Sequence, residues 1–125
     1  MAVFKSLALA GVTAPLAAQA PQLVASHFSG TIYSLNVTEA GEPTITGEIS
    51  GVQRIPAWIT WDSESRTAHV ADESWFGPGT GSIASYALAE DGGLTVSGAA
   101  TTDGGDLASG LYGGEDGRGF IAQAN

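Results

Sequence analysis

The sequence predicts an all-β protein: a partial β-propeller made of about two four-stranded antiparallel blades of a larger ring. Three observations predict it. Short runs rich in Val, Ile, Thr, Tyr and Trp are separated by Gly, Asp, Glu and Ser, the composition of strands and turns. No stretch sustains the i, i+3, i+4 spacing of an amphipathic helix. The chain also matches itself at an offset of about fifty residues, a blade-sized period.

In chain order, residues 1–20 read as a secretory signal peptide rather than as part of the fold. Lys5 precedes the apolar run Ser6–Ala17, and Ala18-Gln19-Ala20 supplies the small residues of a cleavage site. The run is shorter than the roughly 20 residues a membrane-spanning helix needs. Pro21 directly after the cut is unusual there, so the cleavage position is open. Residues 21–125 are then the mature propeller portion. Asn36-Val37-Thr38 is an N-x-T acceptor, which makes Asn36 the glycosylation candidate of an exported chain.

The repeat sets the remaining elements. At an offset of 51, Gly30-Thr31-Ile32-Tyr33-Ser34 meets Gly81-Ser82-Ile83-Ala84-Ser85, and Thr44-Ile45-Thr46-Gly47 meets Thr95-Val96-Ser97-Gly98 without a gap. One residue later in register, Arg66 falls on Arg118. Ahead of the first copy, Leu23-Val24-Ala25-Ser26 matches His69-Val70-Ala71-Asp72 at an offset of 46, which pairs His27 with Glu73. The complete unit has strands at Pro56–Trp61, Thr67–Asp72, Gly81–Leu88 and Leu94–Ala100. Asp62-Ser63-Glu64-Ser65, Ala40-Gly41-Glu42 and Glu90-Asp91-Gly92-Gly93 supply the turns. A blade buries its faces against neighbours, and a closed ring needs about four at least. The expectation is therefore an N-terminal part of a longer ring, inactive by itself, with a small two-sheet sandwich as the structural alternative.

Composition narrows the partners. Thirteen acids face four bases, a formal −9; without Lys5 three arginines remain and the balance is −10. Such a chain lacks the basic surface that nucleic acid requires, and it repels anionic membranes. No nucleic-acid partner is expected, and no membrane association after signal removal. The absence of cysteine excludes disulfides, zinc–thiolate sites and thiol nucleophiles. No nucleophile elbow, P-loop or dinucleotide fingerprint occurs. The pairs Asp72-Glu73 and Asp103/Asp106 lack EF-hand spacing, so no metal is expected.

The segments Val24-Ala25-Ser26-His27, Ser29-Gly30-Thr31-Ile32, Gly92-Gly93-Leu94-Thr95 and Asp116-Gly117-Arg118-Gly119-Phe120-Ile121-Ala122-Gln123-Ala124-Asn125 carry a resemblance. They are similar to the seven-bladed propeller lactonases, which include bacterial 6-phosphogluconolactonases and fungal carboxy-cis,cis-muconate cyclases. The resemblance spans residues 22–125. Asp116-Gly117-Arg118 reproduces the family's blade turn, whereas Ser63-Glu64-Ser65-Arg66 keeps only the arginine. It implies a seven-bladed parent, lactone closure or hydrolysis on a small lactone or carboxylate, and no cofactor. With the export signal it points to secreted fungal members. The family's site side chains come largely from other blades, so no catalytic residue is carried over by motif.

Blade geometry supplies the candidates instead. Loops leaving the second strand and loops entering the next blade share one end of the sheets, which gathers His27, Arg54, Asp72, Glu73, Trp75 and Asp106. His27 and Glu73 are the acid–base candidates for lactone chemistry. Arg54 could hold a substrate carboxylate, with Asp72 and Trp75 as further binding residues. Each also has a plain alternative as a solvated or packed loop residue. Trp58 and Trp61, three apart on one strand, point to opposite faces and are assigned to packing between blades. His69 and Arg66 are assigned structural roles. The competing function is a secreted, non-enzymatic propeller whose loops grip a ligand or partner protein.

Overall fold

The computed structural model of the chain describes residues 20–73, 80–105, 108–113 and 119–124. They form β1 (Gln22–His27), β2 (Thr31–Val37), β3 (Pro43–Ser50), β4 (Pro56–Asp62), β5 (Thr67–Asp72), β6 (Gly81–Leu88), β7 (Leu94–Thr102), β8 (Ala108–Gly113) and β9 (Gly119–Ala124). No helix occurs among the described residues, so none is long and apolar enough to cross a membrane. The strands make three antiparallel meanders: β1-β2-β3, β4-β5-β6-β7 and β8-β9. The signal-like segment to Gln19 and the Asp116-Gly117-Arg118 turn lie outside the described residues.

The second sheet is the complete blade expected from sequence, with β4 ending one residue later and β7 two residues later. The offset of 51 recurs in its geometry. β2 slips against β3 between Ser34 and Leu35, and β6 slips against β7 between Ser85 and Tyr86. Each slip is a β-bulge that tightens the local twist at one place in the blade. The outer turns repeat as well. Thr38 N–H donates to Glu42 O at 2.9 Å and Gly41 N–H to Thr38 O at 2.8 Å; Ala89 to Gly93 and Gly92 to Ala89 follow at 2.9 and 3.0 Å.

The glycines that precede β2 and open β6 have a shared packing reason. A Cβ on Gly30 would stand 2.5 Å from the carbonyl oxygen of Gln53, and one on Gly81 would collide with that of Gly104. Gln53 and Gly104 are themselves 51 apart, in the loops that leave each sheet. Only a residue without a side chain lets those loops cross so closely.

One expected register is corrected. Val24 pairs with Ser34, whereas Ser85, the counterpart of Ser34, pairs with His69. Val24 therefore corresponds to His69, an offset of 45 rather than 46. The counterpart of His27 is Asp72, and Glu73 lies one residue beyond it. Cross-strand hydrogen bonding decides this, and matching residue types along one strand cannot report it.

The core lies between the first two sheets, where Ile32, Ala68, Val70, Ala84 and Tyr86 are buried and Val24, Ile49, Ile59 and Leu94 pack against them. β1 lies over β4 and β3 over β7, so the sheets stack strand on strand. Gln53 ties the interface: its Nε2 donates to Val70 O at 2.8 Å, and its Oε1 accepts from the Tyr86 hydroxyl at 3.2 Å. Burial, and secondarily the charge of Asp72, pushes the Tyr86 phenol up to about 12. At the other end, Arg66 donates from Nε to Leu88 O at 3.2 Å, from Nη2 to Ala89 O at 3.3 Å, and to Gln22 Oε1 of the first sheet. That is the structural role its place in the repeat suggested.

Candidate ligand cleft at the strand ends

The loops after β1, β3 and β5 emerge at one end, as the meander requires. Between the first two sheets they frame a cleft of about 470 Å³ lined by Ser26, His27, Phe28, Pro56, Ala57, Trp58 and Glu73. His27 ends β1, and Phe28 is 73% exposed in the turn that follows. Trp58 is 49% exposed on β4, just past the irregularity in β4–β5 pairing between Pro56 and Trp58. Proline has no N–H for the ladder, so β4 shifts there. Trp58 Nε1 donates to Ser109 O at 3.1 Å, anchoring the indole to β8. Glu73 follows β5, and its N–H donates to Ile55 O at 2.9 Å.

The surroundings of His27 set its proton. Ser29 N–H donates to His27 Nδ1 at 3.1 Å, and Ser29 Oγ lies 2.8 Å from the same nitrogen. A ring nitrogen that accepts a backbone N–H carries no proton of its own, so the neutral imidazole holds its proton on Nε2. A row of hydroxyls leads to this nitrogen: Ser50 Oγ lies 2.9 Å from Thr31 Oγ1, and Thr31 Oγ1 lies 3.1 Å from Ser29 Oγ. His27 thereby offers an N–H donor, and Glu73 offers a carboxylate acceptor, on one cleft.

The other sequence candidates divide. Asp72 is buried; its Oδ2 accepts from Arg54 N–H and its Oδ1 from Ile55 N–H, both at 3.0 Å, and Ser82 Oγ donates to Oδ2 at 3.3 Å. It clasps the β3–β4 loop to the blade. Arg54 is exposed on that loop and does not line the cleft. Trp75 and Asp106 lie outside the described residues. Asn36 is half-buried in β2 at the opposite end of the sheet, with its Oδ1 enclosed and without a hydrogen-bond partner.

The cleft aromatics Phe28 and Trp58 lie outside the sequence candidates. Trp58, expected to pack between blades, bonds to Ser109 and also lines the cleft. Phe28 carries a readable signal, an aromatic in a polar turn directly after a candidate histidine. His69 meets its structural assignment: Nδ1 pairs with Ser85 Oγ at 2.8 Å, and burial holds its pKa below the usual histidine range against the nearby Asp62 charge. Trp61 lines a hollow with Gln22, Arg66 and Leu88 on the opposite face from Trp58.

Among the described residues no three His, Asp or Glu side chains gather as metal ligands. No curated protein and no solved structure matches the chain. The sequence model of one family, described as "Lactonase, 7-bladed beta-propeller", matches residues 22–125. With antiparallel meanders stacked strand on strand and a cleft between the first two, the chain belongs to the seven-bladed β-propeller lactonase family.

Proposed function

We propose that this chain forms one sector of an exported, lactone-processing propeller and that the His27–Glu73 cleft takes the lactone ring. The observation that carries this reading is the shared cleft: a fixed N–H donor, a carboxylate and two exposed aromatic faces line one space. Phe28 and Trp58 offer apolar faces to a ring, while His27 Nε2–H donates to the lactone carbonyl oxygen and draws charge onto it.

In the hydrolytic direction Glu73 takes a proton from a water as the water oxygen bonds to the carbonyl carbon. The tetrahedral adduct collapses, the ring C–O bond breaks, and the departing ring oxygen receives the proton held by Glu73. The product is a hydroxy acid. Ring closure is the same path reversed, so one pair of side chains serves either direction. The basic start, apolar run and small-residue site of residues 1–20 support export, which would also present Asn36 for glycosylation at the end of the sheet remote from the cleft.

The test is direct binding. Titrating the chain with a hydrolytically slow γ-lactone, D-ribono-1,4-lactone, should quench tryptophan emission saturably, and Trp58→Phe should remove most of that signal. His27→Ala should weaken binding by about tenfold, the worth of one well-placed hydrogen bond. Saturable binding unchanged in His27→Ala and Glu73→Gln would remove the cleft from consideration.

A further inference from the structure

We propose that Thr31 is a positioning residue that, through Ser29, holds the His27 imidazole in its Nε2-protonated form; its role in function rests on the lactone reading of the cleft. Thr31 opens β2 directly opposite His27, and Ser50 ends β3 directly opposite Thr31. In the turn between β1 and β2, Ser29 Oγ lies 2.8 Å from His27 Nδ1 and 3.1 Å from Thr31 Oγ1. Thr31 Oγ1 lies 2.9 Å from Ser50 Oγ on its other side. Thr31 is buried, whereas His27 and Ser29 are exposed.

An exposed serine in a turn has three staggered rotamers open to it. A buried, β-branched threonine has little such freedom. The Thr31 hydroxyl is therefore the fixed point that selects the Ser29 rotamer, and the Ser29 hydroxyl then joins the Ser29 N–H at His27 Nδ1. Thr31 does not line the cleft, so it acts only through Ser29 and His27. The second sheet repeats the device. Ser82, 51 residues after Thr31, donates from Oγ to Asp72 Oδ2 at 3.3 Å, and Asp72 is the counterpart of His27. A hydroxyl at this position thus serves the terminal side chain of the preceding strand in both sheets. Released from it, a neutral imidazole exchanges its proton between the two ring nitrogens, and the fraction that offers Nε2–H falls.

The chain has two histidines, so nitrogen NMR can follow each ring, with His69 on Ser85 as the internal reference. At about pH 8.5, where an ordinary imidazole is neutral, the parent should show an unprotonated Nδ1 and a protonated Nε2 on His27. Thr31→Val keeps the branched shape without the hydroxyl, and Ser29→Ala removes the link in an exposed turn. Both should draw the two His27 signals together and weaken D-ribono-1,4-lactone binding by about fivefold, while His69 stays put. Thr31→Ser, which restores a hydroxyl, should recover both readouts. His27 signals already averaged in the parent, or unchanged in Thr31→Val or Ser29→Ala, would overturn the proposal. Shifted signals in a chain that binds no lactone would overturn the lactone reading and leave the hold of Thr31 on the imidazole standing.

Discussion

His27 and Glu73 face one cleft from adjacent sheets, although strand pairing makes Asp72, not Glu73, the counterpart of His27. Equivalent positions in the two sheets therefore do different work. In the first sheet the strand ends on a side chain exposed to the cleft. In the second it ends on a buried carboxylate that holds a loop, and the next residue turns to the cleft. Both strands stop at equivalent positions, His27 and Asp72, and Glu73 reaches the cleft from one residue past its strand.

The loop clasp makes the first prediction. Asp72 accepts two backbone N–H groups and a hydroxyl. Asp72→Ala leaves those donors unpaired and should cost about 2–4 kcal/mol in chemical denaturation. Asp72→Asn, which keeps one acceptor oxygen, should cost less. Equal stability of Asp72→Ala and the parent chain would refute the clasp.

Two glycines with nearly equal dihedrals should respond differently to alanine. Gly30 (φ +84°) and Gly41 (φ +82°) share the left-handed backbone, but only Gly30 faces a carbonyl where its Cβ would stand. Gly41→Ala should cost about 1 kcal/mol, the penalty of that backbone alone. Gly30→Ala adds a collision with the Gln53 loop and should cost at least about 2 kcal/mol. Thermal unfolding of the two variants side by side checks the order.

Arg66 combines an unfavourable backbone with favourable bonds. Its φ is 53°, rare for a residue with a Cβ, while its guanidinium joins β6 to the first sheet. Arg66→Ala loses the bonds and keeps the strained backbone; Arg66→Gly loses the bonds and relieves it. The glycine variant should be the more stable of the two by about 1 kcal/mol. An alanine variant as stable as the glycine variant would show that the backbone carries no strain.

A half-buried histidine and a buried tyrosine set a pH window for folding. The His69 pKa is lowered by burial, so between its folded value and the unfolded 6.5 the unfolded chain binds the extra proton. Its contribution is present above pH 6.5 and is lost on acidification through the lowered folded value. Tyr86 behaves oppositely, with an unfolded value of 10.0 and a folded value of about 12. Its contribution is full below pH 10 and falls as pH rises toward 12. Denaturation midpoints should show a plateau between these limits, and Tyr86→Phe should flatten the alkaline side.

Much of the blade was legible in the sequence because its information is local. Alternating residues placed β4 to β7, and turn formers such as Ala40-Gly41-Glu42 marked where they reverse. The offset of 51 recurs in the paired bulges after Ser34 and Ser85, which the structure adds. A strand's period and a turn's backbone depend on neighbours a few residues away, so one chain segment suffices to read them. The same logic placed the loops after β1, β3 and β5 at one end.

The sequence by itself determined the strands, the turns and the blade repeat, and it named His27 and Glu73 as the side chains worth testing. Only the tertiary structure decided which residues meet. It moved the counterpart of His27 from Glu73 to Asp72, buried Asp72 beneath the Arg54–Ile55 backbone, and brought Phe28 and Trp58 to the cleft. Each outcome depends on hydrogen-bond register or on contacts between distant segments. A one-residue slip reverses the face a side chain presents, yet leaves the alternation along the strand unchanged.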